Sequence, residues 1–313
     1  MEINLVYWIG FIAFVIVMLM LDLGVFHKND TEVKIKEAIL WSIFWISLAL
    51  VFNVGVYFVM GKAQALDFFT AYVLEKSLSV DNLFVFIMIF GYFNIAPKFQ
   101  HRVLFWGIFG ALIMRAVFIF AGVALIQQFS WIMYIFGAFL IYTGLHMVIG
   151  KGDDSGFDPN KNVIMRWFKK LMPVADDISD PRFFVRKNGI LHATPFFLTL
   201  LFIEASDVVF AVDSIPAVLS VSKDIFIVFT SNIFAILGLR SLYFALSGIM
   251  QYFYYLKYAL AGILSFIGLK MCVNEFSTMF GYDFHISNYV SLSIIITLLT
   301  VSIVFSIARK KKE

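Results

Sequence analysis

Two short stretches carry carboxylates where a bilayer-crossing segment should be apolar. Glu75-Lys76-Ser77-Leu78-Ser79-Val80-Asp81-Asn82 lies inside the run 66–90, and Glu204-Ala205-Ser206-Asp207-Val208-Val209-Phe210-Ala211-Val212-Asp213-Ser214-Ile215-Pro216 lies inside the run 194–220. A charged side chain at the bilayer centre costs at least about 2.5 kcal/mol, so such residues face protein or water and mark a path for ions or protons. In both stretches an acid is followed six residues later by an Asp that has Val before it and Asn or Ser after it. The acids Glu75, Asp81, Glu204, Asp207 and Asp213 outnumber the intramembrane bases Lys76, Arg115 and Arg240 by two, which suits one divalent cation or two protons. Carboxylate oxygens favour Mg, Ca or Mn, whereas zinc and copper sites draw on His or Cys. No histidine lies mid-span: His146 and His192 fall near the inner ends, and His27, His101 and His285 fall in loops.

Asn82, Ser214 and Asn232 either complete an oxygen shell or join helices by hydrogen bonds. Lys76, Arg115 and Arg240 are expected to tether the acids rather than to touch cargo. The competing reading makes the whole set buried ion pairs that hold helices together, with Arg115 and Arg240 as partners. The single cysteine, Cys272, cannot form a disulfide within the chain or build a thiolate metal site.

The elements that must position these residues follow from composition. A chain that is 61% hydrophobic and 14% charged, with a mean hydropathy of +0.90, is a polytopic membrane protein rather than a soluble domain. A net charge of +3 with its bases beside membrane-length runs does not point to nucleic acid. Apolar runs of spanning length lie at 5–25, 37–60, 66–90, 103–126, 130–149, 194–220, 224–247, 253–273 and 288–308. The expected fold is therefore an all-α membrane protein of nine transmembrane helices, forming one polytopic domain over 1–313. Lys28, Lys34, Lys36, Lys98, Arg102, the bases of the loop 150–193 and Arg309 to Lys312 all fall on one side, against Lys62, Lys223 and Lys270 on the other. By the positive-inside rule the N-terminus is outside and the C-terminus cytoplasmic. The loop 150–193 is too polar to span, and its segment 163–172 reads as an amphipathic helix on the inner leaflet. Asp22 is expected at the interface and Asp67 as a helix cap.

The two acidic stretches belong to a larger duplication. Glu75 to Asp81 aligns with Asp207 to Asp213. Ile108 to Arg115 aligns with Ile233 to Arg240, and Gly144-Leu145-His146-Met147 aligns with Gly268-Leu269-Lys270-Met271. The offsets are 132, 125 and 124 residues. Two leading helices (5–60) are thus followed by a first repeat (66–149), the loop, a second repeat (194–273) and a last helix (288–308). Spans 3–5 and 6–8 are separated by an odd number of crossings, which makes an inverted repeat of three helices, an arrangement that places substrate near the midplane in many transporters. Glu75 should then share a depth with Asp213, and Asp81 with Asp207. Six residues rise about 9 Å and turn about 600°, so the two acids of one stretch serve different layers unless the helix is broken. Pro216 frees the carbonyl of Val212 and makes a break there the alternative.

Glu75 to Asn82, Asp207 to Pro216 and Phe183-Phe184-Val185-Arg186-Lys187-Asn188-Gly189 together resemble the TerC family of bacterial integral membrane proteins, from about residue 10 to 308. The closest likeness is to its manganese-exporter branch, which is also associated with tellurite resistance. The resemblance implies an inner-membrane protein that exports Mn2+ as transported substrate, with Glu75, Asp81, Glu204, Asp207 and Asp213 as its ligands. The direction of transport and the choice of manganese come from the resemblance alone. No cofactor, nucleic acid or enzymatic activity is expected; the partners are Mn2+, protons moving the other way, the lipid bilayer and, compatibly, further copies of the chain. Two other readings stay open, a Ca2+ or Na+ antiporter and a non-transporting scaffold acting in metal or tellurite stress. An intramembrane hydrolase is disfavoured because no His-Glu-x-x-His motif occurs and no Gly-x-Gly-Asp turn flanks the acids.

Overall fold

The computed structural model describes residues 5–24, 35–129, 131–149, 172–174, 182–187, 189–247, 255–280 and 284–310. They form ten helices and one hairpin: α1 (Leu5–Gly24), α2 (Ile35–Met60), α3 (Lys62–Tyr92), α4 (Pro97–Gln128), α5 (Ile132–Ile149), β1 (Phe184–Lys187), β2 (Ile190–Ala193), α6 (Pro195–Leu219), α7 (Ile225–Leu237), α8 (Leu239–Leu246), α9 (Leu256–Phe280) and α10 (Asn288–Lys310). Five of these helices are long and apolar enough to cross a membrane, and a sixth span results if α7 and α8 count as one. The chain is a multi-pass helical membrane protein. Its helices present large apolar side chains outward, such as Phe58 at 79% and Met279 at 71% exposure, as a lipid-facing surface requires.

Local chemistry sets the boundaries. Gly61 alone separates α2 from α3 at a φ of 99°, a left-handed conformation that costs glycine nothing. Pro97 and Pro195 occupy the first turns of α4 and α6, where a missing N–H is harmless. Asp224 caps α7 by accepting from the Phe226 and Ile227 amides at 2.9 and 3.4 Å.

The structure refines one expectation, decides between two alternatives and corrects a third. The expected seventh span, 224–247, is two helices meeting at Gly238 with a 40° bend. A Cβ on Gly238 would stand 2.8 Å from Lys76 Nζ and 3.0 Å from Trp45 Cβ, so glycine lets α2 and α3 press against the bend. The break foreseen at Pro216 does not occur, because α6 runs on to Leu219; a proline in the last turn forfeits a single backbone bond and leaves too little helix beyond it to kink. Asp67 does not cap α3: it lies in the second turn and accepts from the Asn288 amide of α10 at 2.7 Å.

The amphipathic segment 163–172 lies outside the described residues, save Met172. The far end of the same loop holds an antiparallel hairpin that pairs Phe184 with Ala193 and Lys187 with Ile190. Gly189, at a φ of 79°, stands in its turn, and Asn-Gly is the dipeptide such two-residue turns favour. Thr194 ties the hairpin to α6 by donating to the Arg182 carbonyl at 2.6 Å and the Phe183 carbonyl at 3.1 Å.

Two apolar clusters form the core. One is aromatic and joins α1, α2, α3 and α7 through Phe11, Phe52, Phe68, Phe226 and Phe234, with Phe52 and Phe234 at 4.9 Å between ring centres. The other joins α5, α6 and α9 through Leu140, Ile215, Ile263, Leu264 and Ile267. Helices α5 and α9 make the most extensive contact in the molecule. Glycines allow it: a Cβ on Gly144 would meet the Ala261 carbonyl at 2.6 Å, and one on Gly268 would meet the Gly137 carbonyl at 2.5 Å. Small residues that bring backbones together are the usual means of joining helices within lipid.

Candidate functional site

Arg115, from the middle of α4, is the centre of the polar interior. It is 1% exposed and forms an ion pair with Glu75 of α3, which is fully buried. Its other terminal nitrogen donates to Asp207 Oδ1 of α6 at 3.3 Å. Nη1 also lies 3.3 Å from Ser214 Oγ and 3.4 Å from Asn232 Oδ1 of α7. One guanidinium thus ties its own helix to three others. Its planar fork of donors and its permanent charge suit it to hold two carboxylates at once. Several atoms of the cluster are buried without a hydrogen-bond partner: Glu75 Oε2, Asp207 Oδ2, Asn232 Nδ2 and Arg115 Nε. A buried polar atom left unmatched costs about 1–3 kcal/mol, so these atoms retain bonding capacity toward the neighbouring space.

Beside this cluster is a cavity of about 240 Å³ lined by Glu75, Asn82, Arg115, Thr143, Asp213 and Ser214, with His146, Met147, Phe210, Leu78, Leu260 and Leu264 completing its wall. Asp213 accepts from Thr143 Oγ1 of α5 at 3.3 Å. The walls mix two carboxylates, an amide and two hydroxyls with apolar side chains, a donor set of oxygens matched to hard divalent cations. Glu75 and Asp213, the pair expected to share a depth, both line this one space. The acids of the second stretch part ways: Asp207 turns to Arg115, whereas Asp213 turns to the cavity and Thr143. Different layers, not a broken helix, explain the six-residue spacing.

The other expected ligands are placed differently. Glu204 is half-buried and its carboxylate lies against Gly110 of α4, where any Cβ would collide with it; it is not among the residues lining the cavity. The Asp81 side chain lies outside the described residues, although its backbone belongs to α3. Lys76 leaves the acids altogether and donates to the Ala235 carbonyl of α7 at 3.2 Å, beside the bend at Gly238. Helix ends leave carbonyls without internal partners, and an ammonium satisfies one. Arg240 is buried on α8 and does not line the cavity. Among the described residues no three of His, Cys, Asp and Glu converge as a metal-holding group, and of the described expected acids only Glu75 and Asp213 line the cavity. Ser214 and Asn232 both join the Arg115 cluster, and Asn82 lines the cavity.

Thr143 and His146 were not singled out as site residues by sequence. Their signal lay in the aligned stretch Gly144 to Met147, which adjoins one and contains the other.

Residues 60–313 match the integral membrane protein TerC family. The chain belongs to that family. Similar proteins cover nearly its full length: "Uncharacterized membrane protein STKORF319" of Myxococcus xanthus is 49% identical over 97% of this chain and 92% of its own. "Putative membrane-bound redox modulator Alx" of Salmonella typhi is 45% identical over 96% of this chain and 93% of its own. An "Uncharacterized membrane protein" of Rickettsia bellii is 41% identical over 97% of each. No solved structure matches the chain significantly. In this TerC protein, the acidic stretches of α3 and α6 are thus the two walls of a single buried polar site.

Proposed function

We propose that this TerC protein is a cation transporter of the bacterial inner membrane that exports Mn2+, with Glu75 and Asp213 as the first carboxylates to meet the ion. The observation that carries this reading is the shared cavity: acids from α3 and α6 reach one buried space large enough for an ion and a few waters. Arg115 neutralises part of the local charge, so the site balances a doubly positive guest rather than a larger one. The described oxygen donors support a hard divalent cation, and the choice of manganese rests on the likeness of the acidic stretches to the manganese-exporter branch.

The topology proposed with it has nine spans, an outer N-terminus, a cytoplasmic C-terminus and an inverted repeat of α3–α5 against α6–α9. Reciprocal contacts between α5 and α9 support the repeat. Gly144 approaches Ala261 and Ser265, while Gly268 approaches Gly137 and Ile141. Subtracting the sequence offset of 124 turns 268, 261 and 265 into 144, 137 and 141, so each contact is the mirror of the other. The pairing of α3 with α7 and of α4 with α6 has the same reciprocity. Antiparallel α3 and α6 would then bring their acids to the midplane from opposite sides.

Proton antiport accompanies this reading, because a carboxylate must be deprotonated to bind a metal and regains its proton on release. A redox role, as named for the Salmonella typhi relative, would act without a disulfide inside this chain, since Cys272 stands alone. The test is Mn2+ flux in proteoliposomes with Asp213→Asn and Glu204→Gln compared in parallel. Asp213→Asn is expected to lower flux by about tenfold or more, in line with loss of a charged metal contact, and Glu204→Gln by less. Equal flux in wild type and Asp213→Asn would defeat the proposal, and flux unaffected by an imposed pH gradient would remove its proton arm.

A further inference from the structure

In the transport reading, the mouth of the cavity is at the end of the bundle assigned to the cytoplasm. Its lining includes His146 and Met147 late in α5, Asn82 late in α3 and Leu260 early in α9, toward that end, together with Phe210, Asp213 and Ser214 late in α6. His146 at that mouth is exposed. The aligned position in the second repeat is Lys270, within Gly268-Leu269-Lys270-Met271, and its state is the opposite.

Lys270 is 2% exposed, and its ammonium donates to Asn288 Oδ1 at 2.5 Å. The same side-chain amide donates through Nδ2 to Asp67 Oδ1 at 2.7 Å and to the Val221 carbonyl at 2.8 Å. Asn288 therefore spends its oxygen and both amide hydrogens on three elements: α9, the start of α3 and the turn after α6. All these residues lie at the end where α3 and α10 begin and α6 and α9 finish. Beyond them is a second hollow of about 230 Å³, lined by Val221, Ser222, Met271, Asn274, Glu275 and His285 among others. Val221 accepts from Asn288 and Met271 follows Lys270, so the Lys270–Asn288–Asp67 chain stands beside that hollow.

We infer that Lys270, Asn288 and Asp67 form the outer latch of this transporter, closing the outer mouth while the inner mouth admits the ion. The inference rests on the transport reading for the ion's path but not on which ion travels. A latch needs strong bonds that can be exchanged for water, and a charged ammonium and carboxylate joined through a neutral amide supply them. Buried apolar packing would seal as well but could not be resolvated on opening. By the repeat, the outward-open state gives Lys270 the exposed place that His146 holds in the inward-open one, and the α9 contact with Asn288 is the one that must part.

The test uses full-length protein carrying Cys272→Ser and Leu264→Cys, so that a single thiol lines the cavity. A membrane-impermeant maleimide is applied to right-side-out and inside-out vesicles. The parent is expected to label from the cytoplasmic face only. Lys270→Ala and Asn288→Ala are each expected to raise labelling from the outer face by about tenfold, the size of shift that losing a hydrogen bond to a charged group brings, with cytoplasmic-face labelling unchanged as the check on folding. If one variant does not accumulate, the other asks the same question. External labelling that stays at the parent rate in the recovered variants, or a parent that labels equally from both faces, overturns the latch. Mn2+ flux measured on the same vesicles separates the two claims: a parent with no flux defeats the manganese reading while the labelling still judges the latch.

Discussion

Two buried polar clusters in this protein use similar residues to opposite ends. Around Asn288 every side-chain donor and acceptor is matched: its oxygen takes the Lys270 ammonium, and its amide serves Asp67 and Val221. Around Arg115 the count does not close, for Glu75 Oε2, Asp207 Oδ2 and Asn232 Nδ2 are buried without partners. In a medium where water is scarce, a satisfied network rigidifies and an unsatisfied one is costly. The contrast separates residues that hold the bundle closed from residues left with bonding capacity for a visitor.

The contrast can be broken most sharply at Arg115. Arg115→Ala leaves Glu75 and Asp207 buried without their shared partner and is expected to destabilise the protein by about 3–5 kcal/mol, read as a lowered unfolding temperature in detergent. A purely peripheral arginine would show no such drop. Smaller is Gly268→Ala, which forces a Cβ to 2.5 Å from the Gly137 backbone oxygen and is expected to cost about 1–3 kcal/mol by overpacking. Gly262→Ala, whose nearest neighbour is Leu298 Cδ1 at 3.4 Å, is the control and should stay within about 0.5 kcal/mol. Smallest is Thr143→Val. It removes the hydroxyl that orients Asp213 and should weaken Mn2+ binding by about tenfold while leaving stability near wild type, as measured by metal-dependent protection against unfolding.

Much of this was legible in the chain itself. Charges inside spanning runs are rare enough that Glu75, Asp207 and Asp213 announce a site without any coordinates, and the six-residue spacing foretold that Asp207 and Asp213 would face different neighbours. What could not be read was the choice of partner. Lys76 adjoins Glu75 in sequence, but successive helical residues point about 100° apart, and its ammonium reaches the bend at Gly238 instead of the acids. Glu204 stands three residues before Asp207, yet a glycine on α4 drew its carboxylate away from the cavity. Such outcomes depend on which facing helix is thin at the right height. The helix break was misplaced for a related reason: proline is conspicuous, whereas the consequence of Gly238 depends on the bulk of Trp45 and Lys76 pressed against it. The latch was invisible because Asp67, Lys270 and Asn288 come from distant parts of the chain and each reads, alone, as an ordinary helix-end residue.

One property of Arg115 reaches beyond packing. Its guanidinium is a fixed cation, present whether or not another has arrived. Cargo that seeks the oxygens of Glu75 must therefore compete with a resident charge already seated there. Under the proposed transport, loading becomes a matter of exchange, and the side chain of Arg115 yields ground to the ion that is taken up.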